Sequence, residues 1–179
     1  MQATFLCDDE LPDWQFADSL IAGVDPSNVS IVANVGISTE SGRRVRVDIQ
    51  ANAGFSCFRD IRCVESVVYI GYGQCLFVIH PHDGRVEVHL LDGYFGHLYN
   101  AEELDVAPHS FSVLVVSASE LLSFSSGGVL QWRTSELGID GVVVESVKAD
   151  VVKGSGEWDP PGGWKAFNVS ARTGEKNVA

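Results

Sequence analysis

After the first 25 residues the chain alternates short runs of β-branched, aliphatic and aromatic residues with glycine-containing breaks. The runs are SIVANVGIS, RRVRVDIQ, SVVYIGYG, CLFVIHP, RVEVHLL, SVLVVSAS, ELLSFSS, VLQWRTS, GVVVESV, DVVKGSG and WKAFNVS. Several repeat with a period of two: Arg44-Val45-Arg46-Val47-Asp48-Ile49 sets polar side chains on one face and aliphatic ones on the other, as in a half-buried strand. The pattern predicts an all-β chain, and 18 glycines in 179 residues fit the many turns such a chain needs. Helix is minor. Residues 12–22, PDWQFADSLIA, start with Pro12, set Trp14, Ala17, Leu20 and Ile21 along one stripe and stop at Gly23, which predicts one short N-terminal helix. Asn100-Ala101-Glu102-Glu103 has the form of a capping residue followed by glutamate, enough for a single turn before Pro108. The length suits one domain, 1–179, with an N-terminal helical or irregular segment (1–25) and a β-repeat region (26–179).

An internal repeat organises the β region. Strand–turn–strand units centre on Ser41-Gly42, Asp83-Gly84, Gly127-Gly128 and Thr173-Gly174, and the turn glycines follow one another at spacings of 42, 44 and 46 residues. Aligned on these turns, VVYIGYGQCLFVIHPHDGRVEV, VLVVSASELLSFSSGGVLQW and VVKGSGEWDPPGGWKAFNVSARTGE each give a β-branched strand, a small-residue break, a second apolar strand and a glycine turn. In the third copy the double-proline segment is an insertion between the two strands. The run V-Y-I-G, then L-F-V-I, then D-G-R-V, with Trp132 closing the next unit as GGVLQW, resembles the blades of quinoprotein-type (PQQ-like) β-propellers over roughly residues 66–175. The resemblance implies strand order. It departs from that family in length, since 179 residues at about 45 per unit allow four blades where those propellers commonly carry six to eight. No residue pattern here matches a quinone or metal site of that family. The expected fold is thus an antiparallel meander of about four units of about 45 residues, closed as a small propeller-like ring or packed as a β-sandwich or open barrel.

Charge narrows the choice of partner. Acids outnumber bases 24 to 12, for a formal net charge of −12. Such a surface repels phosphate backbones, so no nucleic-acid partner is expected. The one basic cluster, Arg43, Arg44 and Arg46, alternates with valines and reads as a solvated strand face. The first residues, MQATFLCDDELPDW, lack the basic and apolar regions of a secretory signal. No run approaches the roughly 18 apolar residues of a membrane span. These features lead to the expectation of a soluble, cytoplasmic protein with no membrane partner. The four cysteines, Cys7, Cys57, Cys63 and Cys75, form no C-x-x-C pair and are expected as free thiols.

Two segments are candidates for chemistry. His80-Pro81-His82-Asp83, if extended, would point residues 80 and 82 to one side and give a metal two imidazoles with a neighbouring carboxylate, and His89, His97 or Asp92 as a further ligand. The same segment, ending in His-Asp-Gly, reads as a hairpin turn. GYGQC at 71–75 is glycine-rich, but a strand follows it where a phosphate loop needs a helix N-terminus. G-x-S-x-G, H-E-x-x-H and G-x-x-x-x-G-K-[ST] are absent. The second candidate is GSGEWDPPGGWKAFNVSARTG. Glu157 and Asp159 flank Trp158, and flat indoles suit sugars, yet carboxylates two apart on one strand cannot flank a glycosidic bond from opposite sides. The plain alternative is a loop with Trp158 and Trp164 paired across its base. As a recognition loop it would use Glu157, Trp158, Asp159 and Trp164, with Trp158 and Asp159 ahead of Trp164.

The function expected from these features is that of a small acidic, non-enzymatic protein-binding module with a basic protein partner and no cofactor. In size and acidity the chain is compatible with bacterial immunity proteins, which neutralise cationic toxins. The alternative is a small-ligand, sugar or metal-binding β protein, or an enzyme, using His80 and His82 or the Trp158–Trp164 loop.

Overall fold

Runs of valine, isoleucine and leucine without polar alternation, such as Val67–Tyr72, Cys75–His80 and Val113–Ser117, suit strands buried on both faces, and every residue of these three strands is buried. The computed structural model describes residues 1–23, 30–51, 58–104, 111–159 and 162–176. Across them the chain is all-β, with fifteen strands in four sheets and one 3-10 turn. Among the described residues no helix is long and apolar enough to cross a membrane. The chain divides into two compact units, Met1–Leu90 and Leu91–Ala179.

The first unit holds two sheets. One contains β1 (Gln2–Leu6), β2 (Asp18–Gly23), β3 (Ile31–Ser38) and β4 (Arg44–Gln50) in the order β1-β3-β4-β2. The other is a plain meander of β5 (Arg59–Val64), β6 (Val67–Tyr72), β7 (Cys75–His80) and β8 (Arg85–Leu90). Val35, Ile37, Val45, Val47 and Ile49 of the first sheet form one core with Val68, Ile70, Phe77 and Ile79 of the second, all fully buried. At about 1.5–3 kcal/mol for each large aliphatic or aromatic side chain removed from water, this layer dominates the stability of the unit.

The helix expected over 12–22 is only a 3-10 turn, Leu11–Trp14, and the rest of that segment becomes β2. Its packing has a period of two, not 3.6: Ala22 is buried and Leu20 packs on the core, while Ser19 and Ile21 face out. Six parallel backbone pairs with β4 outweigh a weak local helical preference.

The second unit repeats the plan. The strands β9 (Phe95–Asn100), β10 (Val113–Ser117), β11 (Leu121–Phe124) and β12 (Leu130–Thr134) form a second meander, and β13 (Val142–Lys148), β14 (Val151–Trp158) and β15 (Gly163–Ser170) a three-stranded sheet. Leu114, Val116, Leu121 and Trp132 share a core with Val142, Val144, Val152 and Val169. The expected turn after Asn100 is present, with its Oδ1 accepting the Glu103 N–H at 2.6 Å.

The repeat is visible in all four sheets. Gly42, Gly84, Gly128 and Gly174 have φ of 82°, 76°, 81° and 72°. Each donates its N–H to a carbonyl three or four residues earlier, that of Thr39, His80, Ser125 or Ser170. In the first three sheets this turn joins the strands β3–β4, β7–β8 and β11–β12. After β15 the described residues supply only the bridge Val169–Lys176. The units are therefore related but unequal, and the first departs from the meander through its parallel β2–β4 pair.

Candidate functional site

The His80–Asp83 segment is a turn. His80 ends β7 and is 9% exposed. Residues 81–84 reverse the chain, leaving His82 and Asp83 in solvent. The imidazole of His80 lies against the Arg85 guanidinium, whose Nη2 is 3.0 Å from Nε2 and 3.2 Å from Nδ1, and Glu87 stands 3.4 Å from Nε2. The imidazole thus lies against a cation and beside a carboxylate. Asp83 accepts the Arg85 backbone N–H at 2.9 Å. That bond chiefly holds its carboxyl below the usual value; slight desolvation opposes it, and the charges of His80 and Arg85 add to the lowering. Among the described residues no three His, Cys, Asp or Glu side chains are grouped to hold a metal ion.

The arginine cluster is engaged within the protein. Arg43 donates to Asp18 at 2.9 Å and to the carbonyls of Pro81 and His82 at 2.7 and 2.8 Å, tying the 81–84 turn to β2. Arg44 lies 4.0 Å over the Trp14 ring. Arg46 holds the buried Asp48 through both carboxylate oxygens, at 2.8 and 3.0 Å. GYGQC is a strand, a turn at Gly73-Gln74 and a strand.

The β14–β15 hairpin brings the other predicted residues together, but in a different arrangement from the expected indole pair. The register sets Glu157 opposite Trp164 and Trp158 opposite Gly163. Because successive residues face opposite sides of a strand, the two indoles lie on opposite faces of the hairpin. Trp158 is half-buried and carries the Lys165 ammonium 5.2 Å from its ring. Asp159 is exposed and closes the hairpin, its carbonyl accepting the Gly162 N–H at 2.5 Å. Pro160 and Pro161 lie outside the described residues. Trp164 is the open one, at 52% exposure. Of the two indoles the sequence order set Trp158 first, whereas Trp164 is the more exposed.

Around Trp164 the fold assembles residues that sequence spacing did not connect. A methyl group placed on Gly141 would sit 3.5 Å from the Trp164 ring, 3.9 Å from Glu157 Oε2 and 4.0 Å from the Tyr94 hydroxyl. The glycine thus floors a shallow cradle ringed by an indole, a carboxylate and a phenol. Tyr94 donates its hydroxyl to the Asp140 carbonyl, and Asp140 Oδ1 is 3.3 Å away. Backbone bonds fix this floor: Gly141 N–H to Ala118 O at 2.9 Å, Glu157 N–H to Gly141 O at 2.8 Å and Ile139 N–H to Glu157 O at 2.8 Å. A buried acid holds the turn that leads into Tyr94. Glu120 is 1% exposed, accepts the Asp92 N–H at 2.7 Å and lies 3.3 Å from Arg133. The glycines at 93 and 141, each next to an aspartate and a bulky residue, were the available sequence signal, and they mark turns without saying which turns meet.

The arrangement offers a flat aromatic surface flanked by the carboxylates of Glu157 and Asp140. It can take a cation against the indole, or stack an apolar sugar face. The chain matches no protein-family model and no curated protein sequence.

Proposed function

We propose that this chain is a cytoplasmic, non-enzymatic protein-binding module that takes a basic protein partner on the outward face of the β13–β15 sheet, in the manner of an immunity or inhibitor protein. The observation that carries the reading is Trp164: a large indole, half in solvent, set across the strand from the Glu157 carboxylate. Tryptophan is over-represented among residues that dominate binding energy, and an adjacent carboxylate favours a lysine or arginine of the partner against the ring. The net charge of −12 steers a basic partner from a distance. The blade-like repeat is taken as a propeller-like strand order only, without the chemistry of quinoprotein propellers.

The test is binding of the purified protein to the basic proteins encoded in neighbouring genes. Association that weakens as salt rises, and falls about tenfold or more in Trp164→Ala, is expected. Binding indifferent both to salt and to Trp164→Ala overturns the reading. The same Trp164–Glu157–Tyr94 cradle supports a second reading, a saccharide platform. That reading expects glycan binding that is lost in Trp164→Ala yet insensitive to salt.

A further inference from the structure

The register of the last sheet fixes where the backbone groups of β15 point. Ser170 donates its N–H outward to Glu175 O at 2.9 Å, and Ala171 donates inward to Asp150 O at 2.7 Å. β15 pairs with β14 from Gly163 to Ser170 without a register shift. Alternation therefore carries the outward orientation back to Trp164 and Ala166. Beyond β15 the described residues supply only the Val169–Lys176 bridge, which covers the Val169-Ser170 end and leaves no described strand beside Trp164–Phe167. In the other three sheets this same side of the third strand is covered by β4, β8 or β12. Exposed edges are commonly blunted by proline, bulges or several charges. Among its eight residues β15 has no proline and no bulge, and its one charged side chain is Lys165.

We infer that β15 accepts an extended basic segment of the partner as the fourth strand of its sheet, an inference that rests on the protein-binding reading above. Main-chain pairing supplies affinity in such strand addition, and alternate side chains supply selectivity. A partner residue opposite Trp164 shares its face with the indole and with Glu157, so an arginine or lysine belongs there. Partner residues opposite Lys165 and Phe167 fall on the other face, and the one beside Phe167 is apolar. Glu145 and Glu157 on the outward face and Asp159 at the hairpin end outnumber Lys153 on that face and complement the positive charge. The chain itself uses this chemistry once: the fourth strand of the first sheet, β4, begins Arg44-Val45-Arg46-Val47.

That strand provides the probe. A fluorescein-labelled peptide of residues 43–50, RRVRVDIQ, is titrated with the full chain by anisotropy beside a backbone N-methylated version of equal charge. The unmethylated peptide is expected to bind one to one and to weaken with salt. Affinity is expected to fall about tenfold or more for the N-methylated peptide, and equally for the Ala166→Pro protein, because each loses outward hydrogen bonds. Circular dichroism confirms that Ala166→Pro is folded; if it is not, the N-methylated peptide alone decides. Equal binding of the two peptides, lost in Trp164→Ala, overturns strand addition and leaves side-chain recognition standing. Equal binding untouched by Trp164→Ala and Glu157→Gln overturns the site as well, and so does the absence of binding by either peptide.

Discussion

Equivalent glycines in the repeat allow backbone strain to be separated from packing. Gly42 and Gly174 each close the turn after a third repeat strand, over three and four residues respectively, with similar φ of 82° and 72°. An alanine at either site pays the left-handed penalty of about 1–2 kcal/mol. Their surroundings differ. A Cβ on Gly42 meets nothing within 4 Å, whereas one on Gly174 falls 2.6 Å from the Trp132 ring and 2.7 Å from Thr134 Oγ1. Neither neighbour can easily retreat, since the Trp132 indole donates to Ala171 O at 2.9 Å and Thr134 to Gly174 O at 2.5 Å. Overpacking of this kind adds about 1–3 kcal/mol. Gly42→Ala is therefore expected to destabilise by about 1–2 kcal/mol and Gly174→Ala by about 2–5 kcal/mol. Urea denaturation with free m-values reads both. Equal losses would show that the β12 clamp on the last turn does not exist and that the turns differ in sequence only.

Two further outcomes follow from buried groups. Glu120→Ala removes the acceptor of the Asp92 N–H and the carboxylate beside Arg133 and should cost about 2–4 kcal/mol in urea denaturation, with Glu120→Gln recovering part of it; a loss under about 1 kcal/mol would contradict the bracing role. Burial pushes the Cys75 thiol above its ordinary value of 9.0. The unfolded chain then loses that proton first, so the stability this group contributes is intact below pH 9 and declines as pH rises through the folded value. Unfolding free energies measured across that range should fall more steeply for the wild type than for Cys75→Ala, and parallel slopes would contradict the assignment.

The strands legible in the sequence ranged from the fully buried β6, β7, β10 and β11 to the edge strands β8, β12, β13 and β15. β6, β7, β10 and β11 announce themselves as apolar runs because neither face meets water. The strands absent from the sequence reading, β1, β2, β5 and β9, all lie at sheet edges. Cys63 and Arg62 in β5, or Gly96 and His97 in β9, bury too little apolar surface to leave a pattern. The turn glycines were legible because a positive φ leaves few alternatives to glycine. The site was half legible. Glu157 and Trp164 stood out by composition, but which indole is open depends on a one-residue register that reverses faces. Tyr94 and Asp140 reach the cradle only through contacts made by the folded second unit.

The open edge of β15 is the feature on which the recognition surface depends, and amide hydrogen exchange followed by NMR tests it directly. In the free protein the N–H groups of Lys165 and Phe167, directed at β14, should exchange slowly, while those of Trp164 and Ala166 exchange quickly. The amides of Leu121–Phe124 in β11, which lies between two strands, should all be slow. Uniformly slow exchange from Trp164 to Phe167 would mean that the edge is already covered, and would contradict the account.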